Sequence, residues 1–166
     1  MIKVVRMTLS KSSIDAAIKE LREYQERIKR KTSELAERLA EMGAVNVSLG
    51  YARAIYTGPK DISVTVEQRG ESTYAIVATG DSVLVVEFGA GVTYGNDPTH
   101  PKAGEFGYGV GTYPGQIHAF DPNGWWLPKD KGGGHTFGNP ASMIMYKTAK
   151  ELRREVERVA REVFST

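Results

Sequence analysis

The chain reads as an α+β domain: an antiparallel β-meander packed by a long N-terminal helix and a C-terminal helix, with a long Gly/aromatic-rich loop. Three observations point there. Helical apolar periodicity occupies both ends, and four short apolar stretches separated by turn signals follow the first of these. Residues 89–139 then break abruptly from both patterns. A length of 166 residues suits a single domain. It divides into 1–88 (first strand, long helix and meander), 89–139 (extended interaction loop) and 140–166 (last helix).

Ile2 to Leu9 carries Val4, Val5, Met7 and Leu9, which suits a short first strand. Ser12 or Ser13 then offers an N-cap, with Asp15 in the first turn where it favours the helix dipole. No Gly or Pro interrupts the chain from there to Met42, and Gly43 reads as a C-terminal stop. At ~1.5 Å per residue this helix is about 45 Å long, which is long for so small a domain. Its apolar positions are Ile14, Ile18, Leu21, Ile28, Leu35, Leu39 and Met42, on an alternating four-three spacing with Gln25 and Thr32 in the gaps. Such a narrow, nearly heptad stripe suits a helix lying across a sheet with its far end projecting, and part of it suits contact with a neighbouring subunit. Glu23/Arg27, Glu26/Arg30 and Glu34/Arg38 stand at i,i+4 spacing on the other faces. Seven basic residues balance seven acidic ones over 12–42, so Lys29-Arg30-Lys31 reads as a solvated patch.

Four candidate strands follow: Val45 to Tyr56, Ile62 to Gln68, Tyr74 to Thr79 and Val83 to Phe88. Gly58-Pro59-Lys60-Asp61, Arg69-Gly70-Glu71-Ser72 and Gly80-Asp81 between them are short, hairpin-type links. The alternation of Ile62, Val64 and Val66 predicts one covered and one wet face. Val83 to Phe88 is almost wholly apolar and is expected to be central or covered on both sides. After the loop, Asn139-Pro140 makes an N-cap and first-turn pair. Met145, Ala149, Leu152, Val156, Val159 and Val163 supply a second helical stripe, flanked by Glu157/Arg161 and Arg158/Glu162 pairs.

Composition narrows the function. A hydrophobic fraction of 40% supports a real core, and a net charge of +2 argues against a protein built to coat nucleic acid. The chain has no cysteine, which excludes disulfides, thiolate catalysis and Cys-type zinc sites. The first residues lack the pattern of a secretory signal, and no stretch approaches the roughly 18 apolar residues that span a bilayer. A soluble protein made inside the cell is expected.

Residues 89–139 hold 13 of the 18 glycines, five of the seven prolines, all three histidines and both tryptophans. A structureless loop of this length is uncommon in a compact domain. Disordered segments are poor in aromatics, whereas this one carries Tyr94, Phe106, Tyr108, Tyr113, Phe120, Trp125, Trp126 and Phe137. Those rings need a surface to bury against, in this chain or another.

The chemical readings of the loop are weak. Gly89-x-Gly91 and Gly107-x-Gly109-x-Gly111 lead into more loop, whereas a dinucleotide fingerprint opens directly into a helix. His100, His118 and His135 share the loop with Asp97, Glu105 and Asp121, but spacings of 18 and 17 residues match no metal motif. There is no G-x-S-x-G elbow. Glu87 and Asp121 could pair for glycoside hydrolysis only by residue type, and Glu87 reads better as hydrogen-bonded to loop amides. Trp125-Trp126 beside Asp121-Pro122-Asn123-Gly124 suits either a sugar-stacking platform or an interface anchor. The alternative to a structural role is therefore a carbohydrate- or metal-binding module, or a small hydrolase, using the 89–139 loop.

The order of parts resembles a known family. A long charged helix leads into strands ending in Val86-Glu87-Phe88-Gly89-Ala90-Gly91. "HPKAGEFGYGVGTYPGQ" and "DPNGWW" follow, then "GNPASMIMYKTAKELRREVERVAREVF". Nearly the whole chain resembles the head–tail joining, neck or minor tail-completion proteins of long-tailed phages and prophages. The Pro-x-Asp-Thr-Gly segment of many members is replaced here by Tyr56-Thr57-Gly58-Pro59-Lys60-Asp61. The resemblance implies a structural virion protein without catalysis or cofactor, located in the neck and assembled in the host cytoplasm. It implies a ring-forming homo-oligomer that meets neighbouring connector, head-closure and tail proteins, with no sequence-specific nucleic acid and no membrane. The residues expected to form or support its interfaces are Glu87, Phe88, Gly89, Gly91, Tyr94, Phe106, Tyr108, Tyr113, Phe120, Trp125 and Trp126.

Overall fold

The computed structural model describes residues 4–56, 58–91, 100–102, 105 and 121–165. In chain order its elements are α1 (Lys11–Arg53), β1 (Ser63–Gly70), β2 (Thr73–Thr79), α2 (Val83–Phe88), β3 (Trp125–Trp126), a 3-10 turn (Lys129–Lys131), β4 (His135–Thr136) and α3 (Ile144–Ser165). The α+β class, the antiparallel pairing and the two long helices are as the sequence predicts. Several element assignments are not.

Residues 4–9 form no strand, and Ser10 caps α1 by accepting from the Ser13 amide at 3.3 Å. α1 does not stop at Gly43 but continues for ten more residues through the stretch expected to be the first meander strand. The reason lies in packing. A Cβ on Gly43 would sit 2.4 Å from Ile76 Cδ1 and 2.7 Å from Leu152 Cδ1, and one on Gly50 would sit 2.6 Å from Ile144 Cγ2. These glycines let the helix approach its neighbours closely and do not end it. Val47 and Tyr51, four apart, fit a helical period as well as an alternating one, and both are buried.

Of the four candidate strands, the second and third pair as a hairpin, with Ser63 opposite Thr79, Val66 opposite Ile76 and a shifted register between Gln68 and Gly70. Its covered residues Ile62, Val64, Ile76 and Ala78 pack on a core of Val47, Tyr51, Val86 and Ile144. An isolated two-stranded hairpin is marginal in water, so this helical cover is what sustains it.

Val83–Phe88, expected to be the last strand, is a short helix. Its start is held by the Asp61 carboxylate, which accepts from the Asp81 amide at 2.6 Å, the Ser82 amide at 3.1 Å and the Ser82 hydroxyl. Short apolar runs read equally as strand or as buried helix, and here this capped turn favours the helix. α3 begins at Ile144 and not at Asn139-Pro140. Residues 140–143 instead form a strap across α2, with the Ser142 amide donating to Val86 O at 3.0 Å and Met143 to Glu87 O at 3.1 Å. Met143 turns into the helix at φ +54°, which is uncommon outside glycine.

α3 runs antiparallel to α1: Ile144 lies at Gly50, Leu152 at Gly43, and the Lys31 ammonium donates to Val163 O. Of its predicted stripe, Val159 and Val163 are buried, whereas Ala149 and Val156 are exposed; Ile144 and Thr148 complete the buried face. Ser33 Oγ donates to Glu71 O at 2.7 Å, so the hairpin turn and the end of α3 both reach this level of α1. Residues 11–30 add about 30 Å of helix past this level, with Ile14, Ile18 and Leu21 exposed and Ala17 buried. Of the predicted surface pairs on α1, Glu34/Arg38 forms at 2.7 Å, while Arg27 lies over the Tyr24 ring and Glu26 meets Lys29.

Candidate functional site

The stretch from Glu87 to Gly91 is a junction where four parts of the chain meet. Glu87 is only 4% exposed. Its Oε2 accepts from the Met145 amide at 3.0 Å and from the Tyr51 hydroxyl at 3.4 Å. Its Oε1 accepts from the Tyr146 amide at 3.2 Å and lies 3.1 Å from His100 Nε2. Met145 and Tyr146 are in the first turn of α3, so the carboxylate satisfies amides that the helix cannot pair internally and meets the positive end of its dipole. His100 Nδ1 accepts from the Lys102 amide at 3.0 Å, which places the ring proton on Nε2, facing Glu87. Its ring lies 4.3 Å from that of Phe88 and 5.5 Å from that of Tyr146. Burial and the neighbouring Glu87 carboxylate push the Tyr51 phenol above its ordinary range. Glu87 thus bonds to helix and side-chain donors, where loop amides were expected.

The next residues join the two ends of the long segment. Ala90 and Asn139 exchange backbone hydrogen bonds, both at 2.9 Å, and the Asn139 side-chain amide donates to Val85 O at 2.9 Å. Gly91 (φ +81°) and Gly138 (φ +103°) stand where these backbones nearly touch: an added Cβ would lie 2.2 Å from Phe137 O at the first and 1.8 Å from Ala90 O at the second. Gly89 and Gly91 are thus positions of close backbone approach.

From this junction a small hairpin, β3 with β4, reaches outward. Trp125 faces Thr136 and Trp126 faces His135, and Leu127 N donates to Gly134 O at 2.8 Å. The tandem tryptophans divide their tasks. Trp125 is half-buried, with its ring edge against Gly91, whereas Trp126 is 75% exposed. The Trp126 and His135 ring centroids are 5.3 Å apart, those of His135 and Phe137 are 4.9 Å apart, and both pairs meet edge to face. Phe137 is itself 48% exposed. The result is a row of three aromatic rings on the surface of a hairpin whose base is tied into the core.

Of the residues expected at an interface, Glu87, Phe88, Gly89 and Gly91 are buried at the junction, Trp125 is half-buried against Gly91, and Trp126 stands exposed in the row. Tyr94, Phe106, Tyr108, Tyr113 and Phe120 lie outside the described residues, as do Asp97 and His118. The sequence reading missed Tyr51 and Asn139 as supports, and it missed the Trp126–His135–Phe137 row. Period-two spacing of His135 and Phe137, across a Pro128–Gly134 turn segment from Trp126, was the signal available. Asp121 Oδ1 accepts from the Asn123 amide at 2.9 Å in a turn. Among the described residues no group of three or more His, Asp or Glu side chains is placed to hold a metal, and no helix is long and apolar enough to cross a membrane. Comparisons with family models, curated proteins and solved structures find no match to this chain.

Proposed function

We propose that this protein is a structural assembly subunit: a neck or head–tail joining component that links the head connector of a long-tailed phage to its tail, working as a homo-oligomeric ring without catalysis. The observation that carries the reading is the exposed aromatic row of Trp126, His135 and Phe137 on a firmly based hairpin. Exposed aromatics gathered on a rigid support are characteristic of contact surfaces, where Trp contributes a large share of the binding energy. The first half of α1, with Ile14, Ile18 and Leu21 exposed, offers a second contact region distinct from the first. A head-to-tail ring needs two unlike patches per subunit, and joining head to tail needs a further one. The buried carboxylate at the junction has its acceptor sites occupied by structural donors, which favours support over chemistry.

Removing residues 95–134 deletes β3 and most of the segment between Gly91 and Asn139 while leaving α1, the β1–β2 hairpin, α2 and α3. Such a chain is expected to retain helical circular dichroism and to leave heads and tails unjoined in a particle-assembly assay. Complete particles assembled from the deleted chain would contradict the proposal. The sugar-stacking alternative uses the same Trp126 face; a melting midpoint raised by added saccharides and no longer raised in Trp126→Ala would favour it instead.

A further inference from the structure

A groove of about 440 Å³ runs between the end of α1 and the start of α3, with the strap residues Pro140, Ala141 and Ser142 in its lining. Its walls are apolar where Gly50, Ala54, Pro140, Ala141 and Ile144 meet, and Ile55 stands on its rim, 69% exposed. Its polar groups are without partners to an unusual degree. Among the described residues, the Arg53 guanidinium makes no ion pair or hydrogen bond, the Asn46 side-chain amide makes none, and the Thr148 hydroxyl makes none although Thr148 is 5% exposed. A buried polar side chain without a partner costs free energy unless something supplies one. Lys147 donates to Ser142 O, and Glu151 completes the lining.

This set of groups matches the chemistry of a tryptophan side chain. An indole needs apolar walls for its bulk, favours a guanidinium over its face, and has a single N–H that requires an acceptor. The groove offers Ile55, Ile144 and Pro140 as walls, Arg53 as the cation, and Asn46, Thr148 or Glu151 as the acceptor. Trp126 does not line this groove and remains 75% exposed. Beyond Trp126, the exposed Lys129 and Asp130 at the hairpin's turn carry charges opposite to those of Glu151 and Arg53. We infer that the groove receives the Trp126 hairpin of a second copy of this chain. The inference rests on the assembly reading above and names the two surfaces that join one subunit to the next.

The test is analytical ultracentrifugation of the full chain and two variants, Trp126→Ala and Arg53→Glu, both altered at exposed positions, with unchanged melting midpoints as the check on folding. Wild type should self-associate, and each variant alone should do so at least tenfold more weakly. An equimolar mixture of the two should recover a complex, because one variant keeps an intact groove and the other an intact hairpin. A wild type that stays monomeric throughout, a variant that associates like wild type, or a mixture that does not recover would each overturn the inference. If wild type is monomeric and yet the chain is needed to join heads to tails, the mating surfaces are wrong and the assembly role stands.

Discussion

The Glu87 carboxylate accepts from two amides of α3, from the Tyr51 hydroxyl of α1 and from the His100 ring, so one side chain ties α1, α2, α3 and the 100–102 segment together. Glu87→Ala leaves those donors buried without an acceptor and opens a cavity. We expect a loss of about 3 kcal/mol or more, read in thermal melting as a fall of roughly 6–12 °C for a chain of this length. A fall below about 2 °C would show that the junction is not rigidly held. Asp61 permits a pH test. Hydrogen bonds from the Ser82 hydroxyl first, and then from the Asp81 amide, hold its carboxyl at about 2, below its ordinary 3.8. A depressed carboxyl adds stability that is fully present above its unfolded value and is lost as pH falls through the folded one. Asp61→Ala should therefore melt below wild type at neutral pH, and the difference should shrink between about pH 4 and pH 2. A difference independent of pH across that window would remove the charge from the explanation.

At the scale of elements, Gly50 shows what the sequence could and could not reveal. Alanine there gains about 1 kcal/mol of helix propensity, but its Cβ meets the branched side chain of Ile144 at 2.6 Å, and overpacking costs about 1–3 kcal/mol. Gly50→Ala should be neutral to destabilising in denaturant titration; a clear stabilisation would mean that α1 and α3 are not in contact at this point. In sequence, a glycine that admits a neighbour and a glycine that ends a helix look alike. For that reason Gly43 reads in sequence as the end of α1, and the helix's last turns read as a strand. The β1–β2 hairpin was legible because Ile62, Val64 and Val66 alternate strictly between two turn signals. Val83–Phe88 was not, because six residues of near-continuous apolarity carry no period and the Asp61 cap that favours the helix comes from twenty residues earlier. The aromatic site was partly legible. Trp126 stood out by residue type, but its partners His135 and Phe137 became visible only when the glycine-rich turn folded back, and Glu87 was legible as a bonded support with its donors misassigned.

For the molecule as a whole, the proposed assembly role turns on surfaces rather than on a cavity with convergent catalytic groups. The helical body carries the first half of α1, the aromatic hairpin and the groove between α1 and α3. The near-neutral charge of +2 argues against a surface built to coat nucleic acid. If the proposed role holds, the chain sits in the particle between head and tail. The most direct measurement is electron microscopy of particles purified from cells making this chain with a tag, compared with cells that lack it. Tagged density confined to the neck is expected, with unjoined heads and tails when the chain is missing. Complete particles in its absence, or a chain that never enters the particle, would contradict it.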